Sequence, residues 1–272
     1  MPILKYLKKI FKSLSKLRLK YLIYGSKISI EKGGVFSVGK NVTISKCSIF
    51  VKKGDTLIIG DNTSISRSSI NMIAGGGAEI KIGKNCKISD FNLSITWGVM
   101  HFGDYNIIEK GDNLSTPSFK VGGDLVIGDY NHILCDICTR FCGKVNIGNR
   151  NAINEGTEIR CDDKITIGDY NQISYNCAIW DTNTHNIYKA EKRREITDSQ
   201  YPDFGLEFEK PKTIPVFIGS DCWIGKDVKI LKGTKLENKC IIALGTLLTN
   251  VSIAQNKTIF NKSDLKIVDN QV

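Results

Sequence analysis

Ile218, Ile224, Ile230, Leu236, Ile242 and Leu248 follow one another at steps of six without a break. A helix repeats every 3.6 residues and a strand every two, so neither alone places an aliphatic residue at every sixth position. The spacing suits a short flat strand followed by a corner, with one aliphatic side chain per side pointing inward. Three such sides close one turn of a β-helix. Upstream the same unit returns at twenty: Ile127, Ile147 and Ile167; Gly128, Gly148 and Gly168; Ile133, Ile153 and Ile173. Val38-Gly39, Ile59-Gly60, Ile82-Gly83 and Phe102-Gly103 extend the series, so a solenoid is expected over residues 27–250. Each turn buries its aliphatic side against the next, and stability becomes a sum over neighbours.

A second column stands three residues after each glycine: Val42, Thr63, Cys86, Asn106, Asn131, Asn151, Asn171, Cys222 and Val228. Four successive asparagines predict an internal amide ladder, each side chain bonding the next turn. The column also reads Cys86 and Cys222 as small inward-facing groups.

The 272 residues carry a net charge of +10, but the charge is local. Residues 1–27 hold eight lysines and arginines and no acid, leaving 30 basic against 28 acidic residues elsewhere. The main body is therefore not a nucleic-acid surface, and no nucleic-acid partner is expected. Ile3, Leu7, Ile10, Leu14, Leu17 and Tyr21 recur at helical spacing, with lysines on the other face. Residues 1–26 are expected as a basic amphipathic helix. It could rest on an anionic membrane through residues 1–24, pack on a partner subunit, or cover the end of the chain's own core. Residues 251–272 are expected as a tail.

Nine cysteines, an odd number, read as free thiols in a reducing cytoplasm, and lysines interrupt every apolar stretch near the start, so no signal peptide is expected. The expected location is cytoplasmic, with the inner face of the membrane as the surface the basic helix would meet. His132, Cys135, Cys138 and Cys142 contain a Cys-x-x-Cys, but the repeat turns neighbouring residues in opposite directions and no second ligand pair follows, so no metal is expected.

The glycine column steps by twenty to Gly168 and then jumps to Gly219. The excess, residues 186–215, is polar, charged and bounded by Pro211 and Pro215; it is expected as a long loop extruded from one corner. Such loops in compact domains usually carry function. At its base stands Asp181-Thr182-Asn183-Thr184-His185. An imidazole there is a natural general base for a hydroxyl near neutral pH; a solvated loop histidine fits the sequence equally. Trp223 follows the inward Cys222, so alternation puts its indole outside the coil, as a flat wall for a ligand or a packing surface for a second subunit.

With its Ile-Gly-Asp openings, the Asp181–His185 segment, the loop and Cys222-Trp223-Ile224-Gly225, the chain resembles the hexapeptide-repeat acyltransferases. Within them it is most similar to the maltose and galactoside O-acetyltransferases and the capsule and lipopolysaccharide O-acetyltransferases. The resemblance covers roughly residues 145–250. Together with the features above, the expected architecture is all-β: a left-handed parallel β-helix with an N-terminal amphipathic helix and a long extruded loop. The left hand comes from the resemblance alone, since general crossover rules favour the right.

The resemblance implies a homotrimer with active sites between adjacent subunits, acetyl-CoA as donor along the outside of the coils, and a sugar hydroxyl of a glycan or polysaccharide precursor as acceptor. It implies His185 as the catalytic base and no acyl-enzyme, so no cysteine nucleophile. Trp223 matches the aromatic beside the thioester arm. Lys226 matches the position whose backbone N–H faces the thioester oxygen. Gly225 allows close approach of the arm. Ala243, Leu244 and Gly245 match the small turn that holds it, with Thr249 following in register. Asn154 and Asp162 match acceptor-binding positions, and Asp181 is placed with them at the loop base. The family's closing Gly-x-Pro-Ala turn is replaced here by Ile259 to Asp264, which leaves Lys257 or Lys262 for the phosphate end of the donor. Three rivals stand beside O-acetylation. An N-acetyltransferase of an amino sugar would use the same residues, a non-catalytic glycan-binding solenoid would need neither His185 nor Trp223, and a metal-dependent hydratase would need converging histidines.

Overall fold

The computed structural model describes residues 23–111 and 116–262. The amphipathic helix expected for residues 1–26 falls largely outside the described residues; its last part is not helix, because Ile23–Tyr24 already forms a strand of the first coil. Nearly everything else described is parallel strand, in the left-handed parallel β-helix class.

Eleven coils stack along one axis, counted by the eleven-stranded sheet that forms the first face. The first face consists of short strands such as His132–Ile133, Ala152–Ile153 and Trp223–Ile224. The second holds strands such as Asp136–Thr139 within Asp136–Ile147, Glu158–Cys161 and Ala178–Trp180. The third holds strands such as Lys164–Ile167 and Val216–Ile218. The six-step aliphatics land on successive faces: Ile218 on the third, Ile224 on the first, Ile230 on the second. In-register stacking then aligns them in columns, as with Ile133, Ile153, Ile173 and Ile224. All four are fully buried. A one-residue slip would turn every column outward, so the pattern fixes the register.

The Ile-Gly-Asp openings mark the corner between the third and first faces. A Cβ on Gly148 would stand 2.8 Å from the Gly168 carbonyl oxygen of the next coil, too close for any side chain. The following polar residue closes the corner from the other side. Asp129 Oδ1 accepts the Asp104 N–H at 2.7 Å, Asn149 Oδ1 accepts the Asp129 N–H at 2.8 Å, and Asp169 Oδ1 accepts the Asn149 N–H at 2.6 Å.

The asparagine column is a ladder, with one refinement. Each side-chain oxygen takes the backbone N–H of the next asparagine as well as an amide hydrogen. Asn131 Oδ1 accepts Asn151 N–H at 2.9 Å and Asn151 Nδ2 at 3.0 Å, and Asn171 Oδ1 closes the series on the Cys222 N–H at 2.8 Å. Val228 belongs to a different column, because Gly225 lies at the corner between the first and second faces rather than at the Ile-Gly-Asp corner.

Two boundaries differ from expectation. The solenoid runs past residue 250: Ser252–Ile253 and Thr258–Ile259 add further strands. The step from Leu248 to Ile253 is five residues rather than six, which hides the next side from a six-residue pattern. The loop leaves the eighth coil after Trp180 and returns at Val216. Its neck is pinched by an antiparallel bridge between Thr182 and Thr213. Within it the charged run folds as a helix, Ala190–Ser199, none of whose residues is buried.

Candidate active site

Asp181 to His185 would be a free strand end without its anchors, and those are buried charges. Asp181 and Asp162 are both 0% exposed. Asp181 accepts the backbone N–H groups of Asp162 and Asp163 at 2.8 Å each, and the Cys161 thiol points at it from 3.3 Å. Burial raises its carboxyl above the ordinary aspartate value, and those two N–H bonds pull the other way. Asp162 binds Arg140 through both oxygens, at 2.9 and 2.7 Å, and accepts the Thr182 hydroxyl at 2.6 Å. Arg140 also donates to the Thr184 carbonyl at 3.0 Å. With their oxygens engaged and no surface exposed in this chain, Asp162 and Asp181, expected at the acceptor, hold the base of the loop.

His185 stands at the end of this braced segment with its side chain 62% exposed. Its Nδ1 lies 3.0 Å from Glu207 Oε1, and Glu207 is nearly covered. The carboxylate also accepts the Asn186 N–H at 3.1 Å and its side-chain amide at 3.0 Å. A carboxylate on Nδ1 fixes that nitrogen as the donor and leaves Nε2 as the free, basic lone pair. Glu207 was not legible in the sequence, since it lies 22 residues along an irregular loop with no repeat to place it. The imidazole lines a cavity of about 800 Å³ enclosed by the loop and its helix. Glu207 separates it from a second cavity of about 450 Å³ on the coils above.

The residues expected on the donor side assemble elsewhere. Trp223, on the first face of the ninth coil, is 57% exposed and stacks in register between Gln172 and Ile241. Gly225 and Lys226 turn the corner to the second face, and Ala243, Leu244 and Gly245 turn it one coil on. The two corners are tied by the Gly245 N–H on the Lys226 carbonyl at 2.9 Å. Packing requires Gly225, because a Cβ there would meet Leu244 N at 2.8 Å. Gly245 differs: its backbone is left-handed (φ 67°) and nothing lies within 4 Å of a Cβ, so it presents bare backbone to an open surface. Trp223, Leu244 and Phe260 expose an apolar ledge around it. A ledge of bare backbone and apolar side chains fits the arm of a thioester donor. Asn154 lies on this same edge two coils earlier, with Nδ2 on the Ile173 carbonyl at 3.0 Å. Thr249 does not join the ledge, because it follows the second-face strand Leu247–Leu248 and sits on the His185 edge.

One chain therefore carries the imidazole at the corner between the second and third faces and the indole on the first face. They do not share a face within a protomer.

The other chemistry-bearing residues do not converge. His101 pairs with Glu79 on the third face and His132 with Glu109 on the first. Cys135 is buried inside the coil while Cys142 is exposed at a corner. Among the described residues no group of three metal-ligating side chains comes together, and no helix is long and apolar enough to cross a membrane. Burial pushes the Cys135 and Cys161 thiols far up, unsuited to nucleophilic work.

No protein-family model matches the chain, and no curated protein matches its sequence. Among solved structures, it overlays the polySia-specific acetyltransferase NeuO over 89% of this chain and 84% of that one, at 17% identity and a TM-score of 0.40. The polysialic acid O-acetyltransferase OatWY overlays 88% of this chain and 90% of its own, at 18% identity and a TM-score of 0.33. An Arabidopsis UDP-N-acetylglucosamine acyltransferase overlays 80% and 59%, at 14% identity and a TM-score of 0.36.

Proposed function

We propose that the protein is an acetyl-CoA-dependent O-acetyltransferase acting on a sugar hydroxyl of a glycan or its precursor, as a homotrimer in which His185 of one copy faces the Trp223 ledge of the next. The observation that carries this reading is the His185–Glu207 pair, with Nδ1 held and Nε2 free beside a cavity. The donor supplies an acyl group activated as a thioester. His185 Nε2 takes the proton of the acceptor hydroxyl as its oxygen bonds the acyl carbon. In this reading the Lys226 backbone N–H stabilises the oxyanion. His185 then returns the proton to the departing thiolate, so atoms and charge balance without a covalent enzyme intermediate. Trp223 and Gly245 orient the arm, and Lys257 or Lys262 holds its phosphates. The protein would work in the cytoplasm, with residues 1–24 resting on the anionic inner face of the membrane.

His185→Ala should lower acceptor-dependent cleavage of acetyl-CoA by about 100-fold or more with the fold intact, as for loss of a general base. Unchanged turnover would remove His185 from the chemistry.

A further inference from the structure

Among the described residues, Thr184 is the only β-branched residue with a positive φ, at 64°. That region crowds a branched Cβ, and such strain persists only where the surroundings over-determine it, often beside functional groups. The next residue is His185. Both backbone groups of Thr184 are held by side chains. Its N–H donates to the Thr182 hydroxyl oxygen at 3.0 Å, and its carbonyl accepts Arg140 Nη2 at 3.0 Å. The two clamps meet on one buried carboxylate. Asp162 accepts the Thr182 hydroxyl at 2.6 Å, Arg140 Nε at 2.9 Å and Arg140 Nη2 at 2.7 Å. The Thr184 carbonyl shares its peptide bond with the His185 N–H, which donates to the Asn183 carbonyl at 2.8 Å. That peptide is therefore fixed on both edges before the imidazole meets Glu207. Arg140 belongs to the sixth coil, Asp162 follows the seventh coil's strand Glu158–Cys161, and Thr182 leaves the eighth. The stacked coils, rather than the loop, set where the base stands. A planar guanidinium suits this place, because it bonds both carboxylate oxygens and still reaches a carbonyl; an ammonium lacks that fork.

We infer that Arg140 is a positioning residue for the reaction: through the Thr184 carbonyl it fixes the peptide that carries His185, so that Nδ1 stays on Glu207 and Nε2 points one way. It touches no reacting atom and acts only through that peptide. This rests on His185 as the base, yet its first readout needs no turnover.

The chain has three histidines, so ring-nitrogen NMR of the full chain labelled with 15N-histidine gives few signals. Those of His185 are the ones lost in His185→Ala. At about pH 8.5, above the ordinary imidazole range, wild type should show one tautomer, protonated at Nδ1 and bare at Nε2. Arg140→Lys should move both nitrogens toward the averaged position of a free imidazole. In steady-state acetyl transfer the same variant should lose about 10-fold or more in kcat, the cost of a misplaced group, with KM for acetyl-CoA unchanged. If Arg140→Lys does not fold, the double variant Arg140→Gln, Asp162→Asn removes both charges together, leaves no unpaired buried ion and should show the same averaging. A folded variant whose His185 signals match wild type overturns the inference, as does one with averaged signals and wild-type kcat. A wild type that transfers no acetyl group sinks the acyltransferase reading instead, while the ring signals still decide whether Arg140 orients the imidazole.

Discussion

Glu207→Gln isolates the contribution of one carboxylate. The side chain keeps its size, and an amide oxygen can still accept from His185 Nδ1 across the 3.0 Å contact. Two things change. The amide nitrogen would confront the Asn186 side-chain amide, which now donates to Glu207 at 3.0 Å; Asn186 retains its second acceptor, the Glu209 carbonyl at 2.9 Å. More important, the negative charge that stabilises the imidazolium during proton transfer is gone. A hydrogen bond to a charged group is worth about 1.5–3 kcal/mol and a neutral one about 1 kcal/mol. The difference, about 0.5–2 kcal/mol, appears only once His185 is protonated, so it falls on kcat and lowers it about 2- to 30-fold. KM for acetyl-CoA should hold, because no ledge residue is touched. The assay is the steady-state release of CoA thiol with a mixture of glycan oligosaccharides as acceptor. Glu209→Gln is the control: that carboxylate is exposed and bonds Tyr188 at 3.0 Å, not His185, so its turnover should stay at the wild-type level. A Glu207→Gln enzyme with wild-type kcat, or a Glu209→Gln enzyme impaired as much, would refute the reasoning.

Two stability predictions follow from the coil. Asn151→Ala leaves the buried Asn171 N–H without the oxygen it now reaches at 2.9 Å, and should cost about 3 kcal/mol in denaturant unfolding, with faster exchange of the Asn171 amide. Asn151→Thr should restore about half, as Thr63 serves the Cys86 N–H at 3.1 Å by its hydroxyl. At acid pH, Glu109 is held below the ordinary glutamate value, first by Lys87 and also by His132, with burial opposing. A lowered carboxyl contributes stability above its unfolded value near 4.5 and loses it as pH falls through the folded one. Glu109→Gln should flatten that part of the melting curve below about pH 5, as followed by circular dichroism.

The solenoid was legible because one short unit is used many times. Ile133, Ile153 and Ile173 announce a column, and the Asn106–Asn171 spacing announces the ladder inside it. Where the repeat stops, so does the reading. Glu207 sits in a loop with no period, and the helix Ala190–Ser199 buries no residue, so no apolar stripe marked it. Asp162 and Asp181 were recognisable as important positions, but sequence could not tell a carboxylate that meets a ligand from one spent on Arg140 and backbone N–H groups. Trp223 was placed outside the coil by alternation, yet alternation does not say which of three outer faces it joins. That choice depends on the corner count between His185 and Trp223, and the loop between them obscures it.

That separation gives the sharpest test. His185→Ala and Trp223→Ala chains, each purified as inactive trimers, are unfolded together, refolded at equal ratio and assayed for acetyl-CoA-dependent transfer. If each site takes His185 from one copy and the ledge from its neighbour, random mixing rebuilds intact sites at about a quarter of the total, and about a quarter of wild-type activity returns. If the mixed trimers stay as inactive as their parents while refolded wild type recovers, the imidazole and the indole do not serve one site across two chains, and the account is contradicted.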